Sequence, residues 1–255
     1  MSKRPVFQNP QLDGSTFQMD GSRTGVLLLH GFTATTVEVQ PMARYLNQMG
    51  YRIAAPLLPG HGTAPEAMLT VSWKDWVNCA ENAYQSLAAN VDKLFVAGES
   101  MGGLLSLYLA SRHPEIPGIL LYAPALKIPG LWKARLLYPF VKIMPKGYVD
   151  EENAQDTEVL PWQGYTVVAL PAVRQLGILQ GKVRRALPQI RQPLLIFQGD
   201  LDHTIDPLSS KLVFDSIGSV DKEYIRLEQS GHCILLDREL KAVEGKTAHF
   251  LQRLS

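Results

Sequence analysis

"LFVAGESMGG", residues 94–103, runs five apolar or small residues into a serine and sets glycines on both sides of it. Residues 93–98 read as a buried strand, and "GLLSLYLASRHPE" beyond the serine has helical propensity and a polar stop. A serine on a strand-to-helix turn sits in a strained backbone conformation that pushes its hydroxyl outward. Glycines two residues before and two after remove side chains that would collide in so tight a bend. The same turn aims the amide of Met101 and the positive end of the following helix at the space in front of Ser100, where negative charge would be stabilised. Such a site calls for a base, an acid and a second amide donor elsewhere in the chain.

Working outward, short apolar runs at 25–30 ("GVLLLH"), 51–56, 93–98, 118–124 ("GILLYAP"), 193–199 ("PLLIFQG") and 223–228 read as strands. Several are near-continuous rather than alternating, the pattern of a parallel sheet covered on both faces. Between them, "VEVQPMARYLNQMG" ends in a glycine stop and "TVSWKDWVNCAENAYQSLAAN" carries apolar residues at intervals of three and four, so both read as helices. Strands alternating with helices predict an α/β fold, a mostly parallel central sheet with helices on both faces. The alternation breaks after Pro124. Residues 126–187 offer no clear strand and carry prolines at 129, 139, 145, 161 and 171, which predicts a small helical cap inserted between core segments 1–125 and 188–255.

The 255 residues, 46% hydrophobic, suffice for one sizeable core. A net charge of +1 with 19% charged residues gives no overall field that would favour nucleic acid, so a small uncharged partner is expected. Cys79 and Cys233 lie in unlike contexts and are read as free thiols, Cys233 as a packing residue beside the proposed base. The N-terminus has a basic start without an apolar stretch behind it, and no window reaches the roughly 18 apolar residues of a membrane span, so a cytoplasmic protein is expected.

Six histidines compete for the base. His232, in "QSGHCILL", follows the final strand, and Gly231 before it lets the backbone turn, whereas His30, His61, His113, His203 and His249 sit at strand ends, turns or helices. The acid must hold the imidazole in one tautomer. "IFQGDLDHTID" supplies Asp200, Asp202 and Asp206. Asp202 is the best placed, and the other two suit turn and helix-cap positions. The order Ser100, Asp202, His232 differs from that of the serine proteases. "LLLHGFTATT" supplies the second donor, the Phe32 amide freed by Gly31. No cluster has metal-ligand spacing, and no cofactor is expected.

"LLLHGFTAT", "PLLPGHGTAPE", "VAGESMGGLLSLYLA", "IFQGDLDHTIDP" and "EQSGHCILLDRE" together resemble the α/β-hydrolase superfamily, and within it the bacterial carboxylesterase and monoacylglycerol lipase group. The resemblance covers the chain apart from about the first 20 residues and the cap. It implies a serine ester hydrolase with Ser100 as nucleophile, His232 as base, Asp202 as acid and the Phe32 and Met101 amides as oxyanion hole. It also implies a structural role for His61. Glu99 departs from the group, which often has histidine or another neutral residue there.

The substrate is expected to be a monoacylglycerol or a short- to medium-chain ester. Trp132, Leu136, Leu137, Tyr138, Phe140 and Ile143 of the cap would line an acyl pocket or meet a lipid surface, with Lys133, Arg135 and Lys142 facing water or head groups. Packing of these residues onto the sheet is an equal alternative. The basic "GKVRRALPQIR" reads as a solvated helix face. A cofactor-free haloperoxidase, a hydrolase of carbon–carbon bonds and a non-catalytic ligand-binding protein remain open as alternatives on the same residues.

Overall fold

The computed structural model describes residues 6–146 and 159–255, without the side chains of residues 134–136. In chain order the strands are β1 (Phe7–Gln8), β2 (Phe17–Met19), β3 (Thr24–Leu29), β4 (Arg52–Ala55), β5 (Lys93–Glu99), β6 (Ile119–Tyr122), β7 (Ile143–Pro145), β8 (Gly164–Tyr165), β9 (Val167–Ala169), β10 (Leu194–Gly199) and β11 (Lys222–Leu227). The helices are α1 (Gln40–Gln48), α2 (Trp73–Ala88), α3 (Met101–Ala110), α4 (Leu131–Leu137), α5 (Leu170–Ala186), α6 (Ser209–Ser216) and α7 (Leu240–Leu254). The six strands read from the sequence all form, within two residues of their expected ends.

Seven strands make one sheet in the order β11-β10-β6-β5-β3-β4-β2. Every pairing is parallel except that of β2 with β4. Every residue of β6 and β10 is buried, as is nearly all of β3 and β5. That requires cover on both faces, and it explains why these runs look continuously apolar. Two groups of helices supply the cover, α1 touching α7 and α2 touching α3.

Between the strands lies a core with Trp76, Tyr122, Tyr165, Phe95 and Phe197 among its fully buried side chains. Each such side chain is worth about 1.5–3 kcal/mol relative to exposure. Tyr122 stacks on Phe197 of the neighbouring strand, centroids 5.5 Å apart, and its hydroxyl meets Thr247 Oγ1 of α7 at 3.0 Å. The helix is thereby tied to the sheet without an unpaired buried hydroxyl.

The expectation of a purely helical insertion needs correction. Residues 126–187 contain α4 and α5 but also three short strands. β7 pairs antiparallel with β9, and β8 pairs antiparallel with β1. Strands of two or three residues carry too little periodicity to read, and they form because partners distant in sequence complete them. The β1–β8 pairing seats the N-terminal arm, where Asn9 Nδ2 donates to Trp162 O at 2.6 Å and Gln163 Nε2 donates to Asn9 O at 2.9 Å. "GKVRRA" forms the end of α5 with Arg184 and Arg185 exposed, as expected of a solvated face.

β3 pairs with β4 on one side and β5 on the other, so the winding of the chain reverses there. A crevice opens outside the carboxyl ends of the strands at such a reversal. All of the chemistry-bearing loops leave from that edge.

Candidate active site

Ser100 joins β5 to α3 with φ 54° and ψ −112°, left-handed backbone that costs a non-glycine residue about 1–3 kcal/mol. The turn is tight enough that a Cβ at Gly98 would lie 2.2 Å from the carbonyl carbon of Gly102, and one at Gly102 1.9 Å from the Leu29 oxygen. The Ser100 amide donates to Tyr122 O at 2.9 Å, and the Ala125 amide donates to Ser100 O at 3.1 Å, which fixes the strained residue from both sides.

His232 Nε2 lies 2.9 Å from Ser100 Oγ, and Nδ1 donates to Asp202 Oδ2 at 2.8 Å. A carboxylate only accepts, so the proton sits on Nδ1 and the Nε2 lone pair faces the serine hydroxyl. Asp202 comes from the loop after β10, held by the amides of Thr204 (2.8 Å) and Ile205 (3.1 Å) and by Gln198 Nε2 (3.1 Å). Burial by itself would raise this carboxyl. The charge and hydrogen bond of His232, with the Ile205 and Thr204 amides, outweigh it and hold Asp202 below its ordinary range. Asp200 pairs instead with Arg226 at 2.8 Å. Asp206 pairs with Lys127 at 2.8 Å and accepts the Leu208 amide at 2.9 Å ahead of α6.

Gly31 packs against the nucleophile, its Cβ position being 3.2 Å from Ser100 Cβ. Among the described residues, the Phe32 amide has no protein acceptor. The Met101 amide is one of the orphan donors at the start of α3. His30 is a brace for this loop. Its Nε2 accepts the Leu58 amide at 3.0 Å, so Nδ1 donates to Gly31 O at 2.9 Å. Burial, with the adjacent His61, pushes His30 down to about 3, and burial pushes His61 to about 4, so both imidazoles are neutral.

Ser100, His232, Gly31 and Phe32 stand at the wall of a cavity of about 1100 Å³. Its lining mixes apolar side chains, Ile128, Leu131, Leu137, Val173, Leu176 and Ile205 among them, with polar ones that include Asn9, Glu38, Lys146 and Asp237. Of the cap residues expected at the pocket, Leu137 reaches its wall, while Trp132, Tyr138, Phe140 and Ile143 stand away from it. Trp132 is 62% exposed because a short helix turns only one side inward, and Phe140, in the turn beyond α4, is 86% exposed. The Tyr138 ring lies under the Lys142 ammonium at 5.3 Å, Ile143 is taken into β7, and the side chain of Leu136 lies outside the described residues. Lys133, expected to face water, is exposed and also lines the cavity.

Four features escaped the sequence reading: the arm Phe7–Pro10, Glu38, Lys146 and Trp162, all lining the cavity. Only Glu38 carried a signal, a lone carboxylate between two valines seven residues after Gly31. Burial lowers the half-buried Lys146 to about 8, with its ammonium 4.6 Å from the Trp162 ring centroid. Glu99 is also explained. Its Oε1 accepts the Leu235 amide at 3.2 Å, tying the strand behind Ser100 to the turn after His232, while Oε2 has no hydrogen-bond partner among the described residues. Burial, reinforced by the charge of Glu38, raises this carboxyl well above its ordinary value. Among the described residues no group of three or more His, Cys, Asp or Glu could hold a metal ion, and no helix is long and apolar enough to cross a membrane.

A doubly wound sheet with a serine at the strand-to-helix turn and an Asp–His pair behind it defines an α/β-hydrolase. The chain belongs to the Hydrolase_4 family, described as serine aminopeptidase S33, whose model matches residues 21–239. It is 33% identical over 251 residues to a thermostable monoacylglycerol lipase of Bacillus sp. (strain H-257), covering 96% of this chain and 98% of that one. It is 29% identical over 240 residues to a carboxylesterase of Bacillus subtilis, covering 93% and 96%. Among solved structures it superposes with a TM-score of 0.88 and 30% identity on a protein described with LipS and LipT, two metagenome-derived lipolytic enzymes, over 94% of this chain and 98% of that one. A monoglyceride lipase variant of Saccharomyces cerevisiae, solved with a substrate analogue, shares the fold at a TM-score of 0.78 and 20% identity, over 100% of this chain and 96% of that one. The chain is a hydrolase of the carboxylesterase and monoacylglycerol lipase type.

Proposed function

We propose that this enzyme hydrolyses monoacylglycerols, or short- to medium-chain esters, through an acyl-enzyme on Ser100. The observation that carries the reading is the unbroken Ser100–His232–Asp202 hydrogen-bond chain at a cavity lined by both apolar and polar side chains. His232 Nε2 takes the proton as Ser100 Oγ attacks the ester carbonyl, and ionised Asp202 stabilises the imidazolium. The Phe32 and Met101 amides receive the oxyanion, each donor worth about 100-fold or more in rate. His232 then protonates the leaving alcohol, and water releases the acid by the reverse route.

The apolar side chains of the lining suit an acyl chain and the polar ones a glycerol-like alcohol. Residues 126–187 act as a cap over core segments 1–125 and 188–255. Exposed Trp132, Leu137 and Phe140 with Lys133 and Lys142 suit transient contact with a lipid surface. A fluorophosphonate probe should label the protein and fail on Ser100→Ala, which should also lose esterase activity. Full activity in Ser100→Ala would overturn the mechanism. A preference for acyl chains of about four carbons over ten to twelve would overturn the monoacylglycerol assignment in favour of a plain esterase.

A further inference from the structure

We infer that Glu38 is a positioning residue for the Phe32 amide, holding Gly31 from one side while His30 holds it from the other. The inference rests on the oxyanion-hole reading above. The site is close around Gly31, where a Cβ would lie 2.9 Å from Glu38 Oε2 and 3.2 Å from Ser100 Cβ. A glycine has two freely rotating backbone dihedrals, so a donor placed directly after it is poorly aimed unless something outside the loop restrains both.

The structure supplies one restraint on each side. The Gly31 amide donates to Glu38 Oε2 at 2.5 Å, and the Gly31 carbonyl accepts from His30 Nδ1 at 2.9 Å. That carbonyl and the Phe32 N–H share one rigid peptide plane and point opposite ways, so anchoring both ends of Gly31 fixes where the Phe32 donor points.

Glu38 is itself immobilised. It is 3% exposed, its Oε1 accepts the Trp162 indole N–H at 3.3 Å, and the Cys233 thiol approaches the same oxygen at 3.8 Å. One carboxyl therefore joins the oxyanion loop, the residue after the base and the wall of the cavity at Trp162. Burial raises its pKa, opposed by the Gly31 amide, the His232 charge and the Trp162 N–H. The work is done by an oxygen lone pair aimed at the Gly31 amide, so a side-chain amide that turns its oxygen there keeps it and gives up only the Trp162 N–H contact.

The test compares Glu38→Gln, which keeps the acceptor, with Glu38→Met, of similar length without one, and Glu38→Ala. Active sites are counted by fluorophosphonate labelling taken to completion, and p-nitrophenyl butyrate is the substrate. Glu38→Met and Glu38→Ala should lose about 100-fold in kcat per labelled site with KM within about threefold, and their labelling rate should fall in proportion. Glu38→Gln should stay within about fivefold of the parent. A purely structural role would instead lower Tm and the number of labelled sites while kcat per site held, and that result would overturn the inference. So would a Glu38→Gln enzyme as slow as Glu38→Met, a comparison that stands even where Glu38→Ala fails to fold. None of these outcomes touches the assignment of Ser100, which falls only on the Ser100→Ala result.

Discussion

Replacing Gly102 with alanine places a methyl group where the backbone leaves no room. Its Cβ would lie 1.9 Å from the Leu29 carbonyl oxygen and 2.5 Å from the Leu29 carbonyl carbon. Ordinary contact begins near 3.4 Å, so the start of α3 and the end of β3 must part by about 1.5 Å. Leu29 is held in the ladder against Gly98, so neither side yields by rotating a side chain. Overpacking that side chains can absorb costs about 1–3 kcal/mol, and a clash against backbone takes the upper end. At about 2–4 °C per kcal/mol for a chain of this size, Tm should fall by about 6–12 °C.

Activity should fall further than stability. The loop after β3 carries Gly31 and Phe32 while α3 carries Met101, so the parting separates the two amides proposed to receive the oxyanion, and a misplacement of about 1 Å costs about 100-fold. Gly181→Ala and Gly245→Ala are the controls. Both sit in helices with nothing within 4 Å of the added Cβ, and each should gain about 0.5–1 kcal/mol. The assay is thermal denaturation followed by circular dichroism, with p-nitrophenyl butyrate turnover per active site. A Gly102→Ala enzyme melting within about 2 °C of the parent and keeping half its kcat would refute the reasoning, since the close approach would then cost nothing.

Asp202→Asn should keep the fold but present an amide N–H to His232 and favour the wrong tautomer, lowering kcat by about 10⁴-fold; a loss below tenfold contradicts the role of the carboxylate. Because His232 must be neutral to act as base, kcat/KM should show an acid limb that rises with pH by loss of a single proton. His30 at about 3 and His61 at about 4 are neutral throughout, so His61→Gln should leave that limb in place, and a shifted limb would show that His61 contributes. Glu99 is raised above its ordinary 4.5, so the folded state keeps a proton that the unfolded chain releases, and stability is lost as pH climbs above 4.5 toward the raised value. Glu99→Gln removes the proton linkage and should gain about 1–3 kcal/mol at pH 8 and less at pH 5. Melting curves at the two pH values decide it, and an equal change at both would contradict the linkage.

The parallel sheet, its six main strands, the serine turn and the order Ser100, Asp202, His232 were legible in the sequence because each has a local cause. Strands buried on both faces must be apolar throughout, and a turn as tight as 98–102 admits only glycine at its pinch points. Asp202 separated from Asp200 and Asp206 because position along a loop already limits which carboxylate can face the next one. Tertiary structure alone decided the rest. Glu38 and Glu99 look like surface carboxylates until three or four distant segments close around them. The cavity wall draws on the arm at Phe7–Pro10, Lys146 and Trp162, which no spacing connects, while Trp132 and Phe140, which looked like pocket residues, turn outward. A side chain's type sets what it can bond, but which partners surround it is a property of long-range packing, and that is where the anchoring of Gly31 and the shape of the cavity were settled.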